Sequence, residues 1–263
     1  MGKRIAILYI CTGKYNLFFE GFYASAMEYF LVQAEKTFYV WTDDDHIADG
    51  LPNVKTFHKE CAGFPADSLF RFEMFMQVEE VLKSYDYIYF FNANAMFLQP
   101  VGEEILPDET GLAMGIWPGR REHQHPCLFP YERNKNSLAY VAPYGKDYTY
   151  YMGGLNGGKA DCYLDMIRTL CKNIRDDYNR GIIAKVHDES HINAYMRSHV
   201  CKQIGRNGFM MPEEWMKDSD TPSIIFRDKV LINPYFNKGR QNTLKARLIK
   251  GLKIMKYSIS WYL

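Results

Sequence analysis

The sequence predicts a single-domain α/β protein with a mostly parallel central sheet and flanking helices. Three features lead there: an apolar, β-branched run at the N-terminus, a helical repeat directly after it, and a second apolar run ending in acidic residues. With 263 residues, the chain is long enough to bury about three quarters of the surface its unfolded form exposes.

Ile5 to Ile10 (IAILYI) stops at Thr12-Gly13 and is expected to be a buried strand leading into a turn. A helix follows, because apolar residues pair at Phe18/Phe19, Phe22/Tyr23, Ala26/Met27 and Phe30/Leu31, a repeat of four that covers one helical face. Phe38 to Thr42 is the next strand, running into Asp43, Asp44 and Asp45. From Asp67 to Tyr85 the spacing of Phe70, Met74, Val78 and Leu82 predicts a single helix capped by Ser68. Tyr87 to Phe91 is an unbroken apolar strand that stops at Asn92 and Asn94. Ligands of open parallel sheets bind beyond the carboxyl ends of strands, so this polar pair is a candidate site.

Residues 117 to 144, rich in Pro, Arg, His and Asn, are expected to be loops. In YTYYMGGLNGG, the glycines at 153, 154, 157 and 158 imply turns or a ligand pressed against the backbone. Helices from about Ala160 to Tyr178 and from about Glu189 to His199 complete the core, and the main domain is expected to span residues 1–242.

Basic and acidic residues number 32 and 31, which disfavours a nucleic-acid binder driven by bulk positive charge. The six cysteines form no CxxC pair, nothing resembles a secretory signal, and no apolar run is long enough to span a bilayer. A cytoplasmic protein with reduced thiols is therefore expected. Tyr (20) and Phe (17) are abundant; such rings pack cores and also suit sugar faces.

The sharpest local signal is Val186-His187-Asp188-Glu189-Ser190-His191 at a helix start, where acidic residues favour the helix dipole. His187 and His191 have the four-residue spacing of a zinc-binding helix. That motif puts Glu directly after the first His, and here Asp188 occupies the place. Asn92-Ala93-Asn94 has the spacing of the Asp-x-Asp pair with which many nucleotide-sugar transferases hold a divalent cation. Neutral amides do not supply the anionic shell a hard cation prefers, but they do donate hydrogen bonds to phosphate oxygens.

Five blocks in order carry a resemblance: YICTGKY (Tyr9 to Tyr15), FFNANAMF followed by GEEILP, PYERNKNSLAY (Pro130 to Tyr140), YYMGGLNGG (Tyr150 to Gly158) and HDESHINAY (His187 to Tyr195). The chain resembles glycosyltransferase family six, the family of histo-blood-group A and B transferases and α1,3-galactosyltransferases, and in particular its bacterial, metal-independent members. The resemblance implies a GT-A fold with a Rossmann-like nucleotide-binding half, a UDP-sugar donor, no metal or other cofactor, and transfer with retention to the 3-hydroxyl of a β-galactoside, often fucosylated, in an oligosaccharide or glycolipid. By the same likeness Glu189 is the catalytic carboxylate, acting either as a nucleophile or by stabilising an ion pair. Tyr15, Arg71, Asn92, Asn94, Met152, Gly153, Gly154, Asp188 and Lys229 bind the donor, and Trp117 and His187 lie on the acceptor side; without a metal, charge balance asks Arg227 or Arg240 to help Lys229 neutralise the departing diphosphate. GalNAc is the expected donor sugar, since Gly154 leaves room for an N-acetyl group, and Gal is the alternative. Trp117 stands where many members have histidine, Val186 replaces a common tryptophan, and Lys217 falls near an acid of mammalian members, so mammalian acceptor specificity does not carry over. A sugar-binding module without catalysis is the competing reading.

After Asp228 no acidic residue occurs, whereas eight basic ones do. Residues 243–263 are expected to form a basic tail. Its Leu244, Leu248, Leu252 and Met255 recur at helical spacing among lysines, which suits an amphipathic helix on an anionic membrane surface, with Trp261 and Tyr262 at the headgroups. A terminal helix packed on the catalytic domain with solvated lysines fits the same pattern.

Overall fold

The computed structural model describes residues 2–63, 65–117, 124–237 and 244–263. Its spine is a seven-stranded sheet in the order β3-β2-β1-β4-β7-β6-β8. The strands are β1 (Arg4–Cys11), β2 (Glu35–Thr42), β3 (Val54–His58), β4 (Tyr87–Phe91), β6 (Leu112–Ile116), β7 (Tyr151–Lys159) and β8 (Lys202–Ile204). The first four in that order run parallel, β7 is antiparallel to both β4 and β6, and β8 is parallel to β6. Ile5 to Tyr9 are all buried, because β1 lies mid-sheet with packed layers on both faces; the run of apolar residues is the sequence trace of that double burial.

Helix α1 (Phe19–Tyr29) covers one face, setting Phe19, Phe22 and Ala26 against Phe38, Phe91 and Phe97. The other face is covered by α5 (Ala160–Asn179), through Tyr163, Leu164, Ile167, Leu170 and Ile174, and by α6 (His187–Tyr195). A small second sheet joins β5 (Ala95–Phe97), β10 (Ile224–Phe226) and β9 (Met210–Pro212). Its register pairs Phe226 with Ala95, which delivers the next residues, Arg227 onward, to the end of β4.

Three local expectations are corrected. The helix expected over Asp67 to Tyr85 is three pieces, α2 (Ala66–Leu69), α3 (Arg71–Met76) and α4 (Glu79–Leu82), broken at Phe70 and Val78. Leu69, Phe72, Met74, Phe75, Val78 and Leu82 are all buried, and on one straight helix they would spread around most of its circumference; the two breaks turn them to one side. Ser68 is not the cap. Asp67 instead accepts from the Gly63 N–H (2.9 Å) and the Ala62 N–H (3.3 Å), fastening the preceding loop. The glycines at 153, 154, 157 and 158 make no turn: all lie inside β7, and none has positive φ. At 157 a Cβ would stand 2.5 Å from the Ile88 carbonyl, and at 158 it would collide with the Gly111 carbonyl, so these two glycines let strands approach closely.

The last named helices are α7 (Lys229–Ile232) and α8 (Leu244–Ile259). Thr243, the expected start of the tail helix, lies outside the described residues. Trp261 does not face outward as expected. It is 4% exposed, packs with Phe129, Tyr131, Val141 and Tyr150, and donates its indole N–H to the Val141 carbonyl at 2.7 Å. Burying so large a ring outweighs what a partly hydrated position at a headgroup layer offers.

Candidate active site

Beyond the carboxyl ends of β1 and β4 lies a cavity of about 1010 Å³. Strand β1 has β2 on one side and β4 on the other, so the cavity sits at a topological switch point, where neighbouring connections leave in opposite directions. Five of the expected donor-binding residues, Tyr15, Arg71, Asn92, Asn94 and Lys229, line it. Arg227, expected as a helper, lines it too; Arg240, the other, lies outside the described residues.

The asparagines are held in place by each other and by the C-terminal segment. Asn92 Nδ2 donates to Asn94 Oδ1 at 3.1 Å, and Asn94 Nδ2 donates to the Arg227 carbonyl at 2.8 Å. The Arg227 N–H returns a 2.7 Å bond to the Asn94 carbonyl. One amide hydrogen of Asn94 is thus committed to fixing Arg227 above the cavity, leaving the other for a ligand. Two residues further on, Lys229 Nζ lies 3.2 Å from the Tyr15 hydroxyl and 4.8 Å from its ring centre, and Phe236 meets the same ring edge-on at 4.9 Å. Asp43, at the end of β2, accepts from the Gly13 N–H at 2.9 Å and from Asn16 Nδ2 at 2.8 Å, which shapes the loop carrying Tyr15.

Glu189 does not line this cavity; it is joined to it through Gly153 and Arg71. One carboxylate oxygen accepts from the Tyr150 hydroxyl and the other from the Gly153 N–H, both at 2.6 Å. Arg71 Nη1 donates to the Gly153 carbonyl at 2.8 Å, while Nη2 stands 2.8 Å from Asp188 Oδ2 in a pair whose side chains are 6% and 7% exposed. The guanidinium also lies over the Phe90 ring at 4.4 Å, a stacking lysine does not reproduce. Burial pushes the Glu189 carboxyl above its usual range, opposed by the bonds from Tyr150 and Gly153 and by the Trp117 indole. Burial also raises Asp188, with Arg71 pulling it back. His187 opens α6 with a φ of +52°, in the left-handed region that non-glycine residues adopt only at a cost of about 1–3 kcal/mol. That strained start sets Asp188 and Glu189 in the first turn, the former against Arg71 and the latter against Gly153 of β7.

Trp117 is carried to Glu189 by β6: its N–H bonds the Tyr150 carbonyl at 3.1 Å, and its ring meets the Tyr150 ring at 5.9 Å. Of the two expected acceptor-side residues, Trp117 thus stands by the carboxylate and His187 opens the helix that carries it, and neither lines the cavity. Met152, Gly153 and Gly154 occupy β7 between the two groups. The room expected over Gly154 is already filled, because a Cβ there would lie 2.9 Å from Met152 Cε, 3.3 Å from Asn92 Cβ and 3.4 Å from Phe226 Cε1. The flexible Met152 side chain, not the glycine alone, therefore controls the space at this point.

Sequence reasoning assigned no part to Tyr150 or Asn193. Asn193 donates to the carbonyls of Tyr151 and Glu189, both at 2.8 Å, and its Oδ1 accepts the Tyr151 N–H at 2.9 Å, locking α6 onto the start of β7. Its place one helical turn after Glu189 was the available signal. His191 is buried with Nε2 3.6 Å from Asp177 Oδ2, a carboxylate that also accepts from Ser137. Among the described residues no three His, Cys, Asp or Glu side chains gather as a metal would require, and Asn94 Oδ1 is already accepting a hydrogen bond. This neutral, internally bonded donor set does not fit a hard cation.

The fold and cavity define an α/β protein with a candidate site at the carboxyl ends of its strands, and a buried carboxylate beside it. The chain belongs to glycosyltransferase family 6, which it matches over residues 3–227, and its sheet and helices are those of a GT-A glycosyltransferase. It is 35% identical over 226 residues to the O-antigen biosynthesis glycosyltransferase WbnI of Escherichia coli, covering 86% of this chain and 94% of that protein. It is 28% identical over 247 residues to the histo-blood group ABO system transferase 2 of Rattus norvegicus, covering 90% and 71%. With the human globoside alpha-1,3-N-acetylgalactosaminyltransferase 1 it shares 28% over 209 residues, 76% of this chain and 58% of that one.

Proposed function

We propose that the chain moves a galacto-configured sugar, GalNAc in preference to Gal, from UDP to the 3-hydroxyl of a β-galactoside, with retention and without a bound metal. The acceptor is an oligosaccharide or lipid-linked glycan, fucosylated or plain, and the work is done on the cytoplasmic side in building an O-antigen-type polysaccharide. The likeness to the O-antigen enzyme supports the setting, and the globoside transferase supports the α1,3 linkage and GalNAc.

One observation carries the reading: a doubly hydrogen-bonded carboxylate, Glu189, stands beside a cavity roofed by the cations Arg227 and Lys229. Cleaving a glycosyl phosphate develops positive charge at the anomeric carbon and negative charge on the departing UDP. Glu189 answers the first and Arg227 with Lys229 the second, helped by the spare Asn94 N–H. In this reading Tyr15 meets the uracil, Arg71 the nucleotide end, and Asp188 the donor sugar.

UDP-GalNAc, UDP-Gal, UDP-GlcNAc and UDP-Glc, each offered with fucosylated and plain β-galactosides in EDTA, test it. Transfer from UDP-GalNAc is expected, abolished by Glu189→Gln. A sugar-binding module would show no transfer and would keep its glycan affinity in that variant. Gly154→Ala displaces the Met152 methyl and should shift selectivity toward UDP-Gal; unchanged selectivity removes this segment from donor choice.

A further inference from the structure

Helix α8 meets the rest of the protein at its C-terminal end. The Tyr257 hydroxyl donates to the Tyr131 carbonyl, and Ser258 Oγ to the Cys127 carbonyl at 3.1 Å. The Arg133 guanidinium lies 3.3 Å from the Tyr257 ring centre, and Trp261 is inserted just past the helix end. On the opposite side Leu248, Leu252, Met255 and Ile259 are 62%, 62%, 55% and 55% exposed. At about 100° per residue these four fall within a narrow arc of roughly 60°, with Tyr257 diametrically across. An apolar stripe therefore points away from the domain along a 16-residue helix.

What covers the stripe must also accept positive charge. Lys256 is exposed beside it and Lys253 is exposed further round the helix, Lys245, Arg247 and Lys250 belong to the same helix, and no acidic residue follows Asp228. A second copy packed stripe to stripe would set two such cationic helices against each other without a counter-charge. An anionic lipid surface offers acyl chains to the leucines and negative headgroups to the lysines. No described helix is long and apolar enough to cross a membrane, so α8 would lie in the interface plane.

We propose that the exposed stripe of α8 docks the protein on an anionic membrane surface, with the tail of residues 243–263 acting as a built-in mooring. Trp261 touches Tyr131 and packs in the cluster that holds Tyr150, the residue that holds Glu189. If the glycosyltransferase reading holds, the bilayer plane is thereby tied to the acceptor side, where a lipid-linked sugar would present itself.

The test is flotation of the full-length chain with phosphatidylcholine vesicles, with and without phosphatidylglycerol, independent of any transfer assay. Binding is expected only with phosphatidylglycerol, with release in 1 M salt, where the screening length falls from about 10 Å at 0.1 M to about 3 Å. Lys253→Gln with Lys256→Gln should weaken binding about 25-fold, roughly fivefold per lysine. Leu248→Ser with Leu252→Ser should lose it while keeping the wild-type melting temperature. Equal flotation of the leucine variant, or binding to neutral vesicles alone, overturns the proposal. So does a dimer in sedimentation that this variant abolishes, without vesicle binding, since the stripe would then belong to a second copy.

Discussion

Replacing Tyr150 by Phe removes one hydroxyl and leaves the ring, which packs against Phe129 at 5.5 Å and Tyr131 at 5.4 Å, so the fold should survive. The bond lost is the 2.6 Å donation to Glu189. Burial, reinforced by the neighbouring carboxylate, pushes the Tyr150 phenol well above its usual pKa, so it is a protonated donor throughout the working range. A hydrogen bond to a charged group contributes about 1.5–3 kcal/mol, which converts to a loss of about 10- to 150-fold in kcat/KM if the anion is needed in the transition state. The sign on the pH profile follows. Burial raises Glu189 and Tyr150 lowers it; without the hydroxyl the carboxyl protonates more readily, and the acid limb moves to higher pH. Steady-state kinetics between pH 5 and 8, with a melting curve as control, measures both. A variant within twofold of wild type, with its acid limb unmoved, would show that Glu189 does not act as the anion supposed here.

Asp188→Ala strands the Arg71 guanidinium in a buried site, and should cost about 3–5 kcal/mol of stability in urea titration along with transfer activity. His191, lowered by burial to about 4 despite Asp177, takes up its proton in the unfolded chain first. Its contribution is therefore present above about pH 6.5 and lost as pH falls toward 4, about 3 kcal/mol in all. Asp188 and Glu189, raised by burial, act in the opposite sense, so the comparison is wild type against His191→Gln, whose melting temperature should fall less on acidification. Transfer should persist in EDTA, because Asn92 and Asn94 are neutral and bonded to each other; complete loss restored by Mn²⁺ contradicts this.

Residue pattern alone was enough for three of the four parallel strands, β1, β2 and β4. A strand buried on both faces must be apolar throughout, and β1 and β4 announce themselves that way, as do the asparagines that end β4. Strand β3 went unread because, lying at the sheet edge, it is half polar: VKTFH has no long apolar run. The four glycines of β7 gave no sign of being strand, since glycine's freedom suggests turns and only the neighbouring strands show what a Cβ would strike. Likewise the spacing of Phe70, Met74, Val78 and Leu82 was compatible with one helix, until the burial of Leu69 and Phe72 on the same side required breaks.

The site divides in the same way. HDESHINAY names its acidic residues because their chemistry is local, written in adjacent positions of one helix start. Nothing local tells that Tyr150 and Gly153, 39 and 36 residues away, donate to Glu189, or that Arg71, 82 residues from Gly153, braces it. Nor does the tail's sequence say which of its faces is covered. Leucines and lysines at helical spacing suit packing on the domain and lying on lipid equally well. The insertion of Trp261 beside Tyr131, visible only in the tertiary structure, turns Tyr257 inward and leaves Leu248 and Leu252 outward.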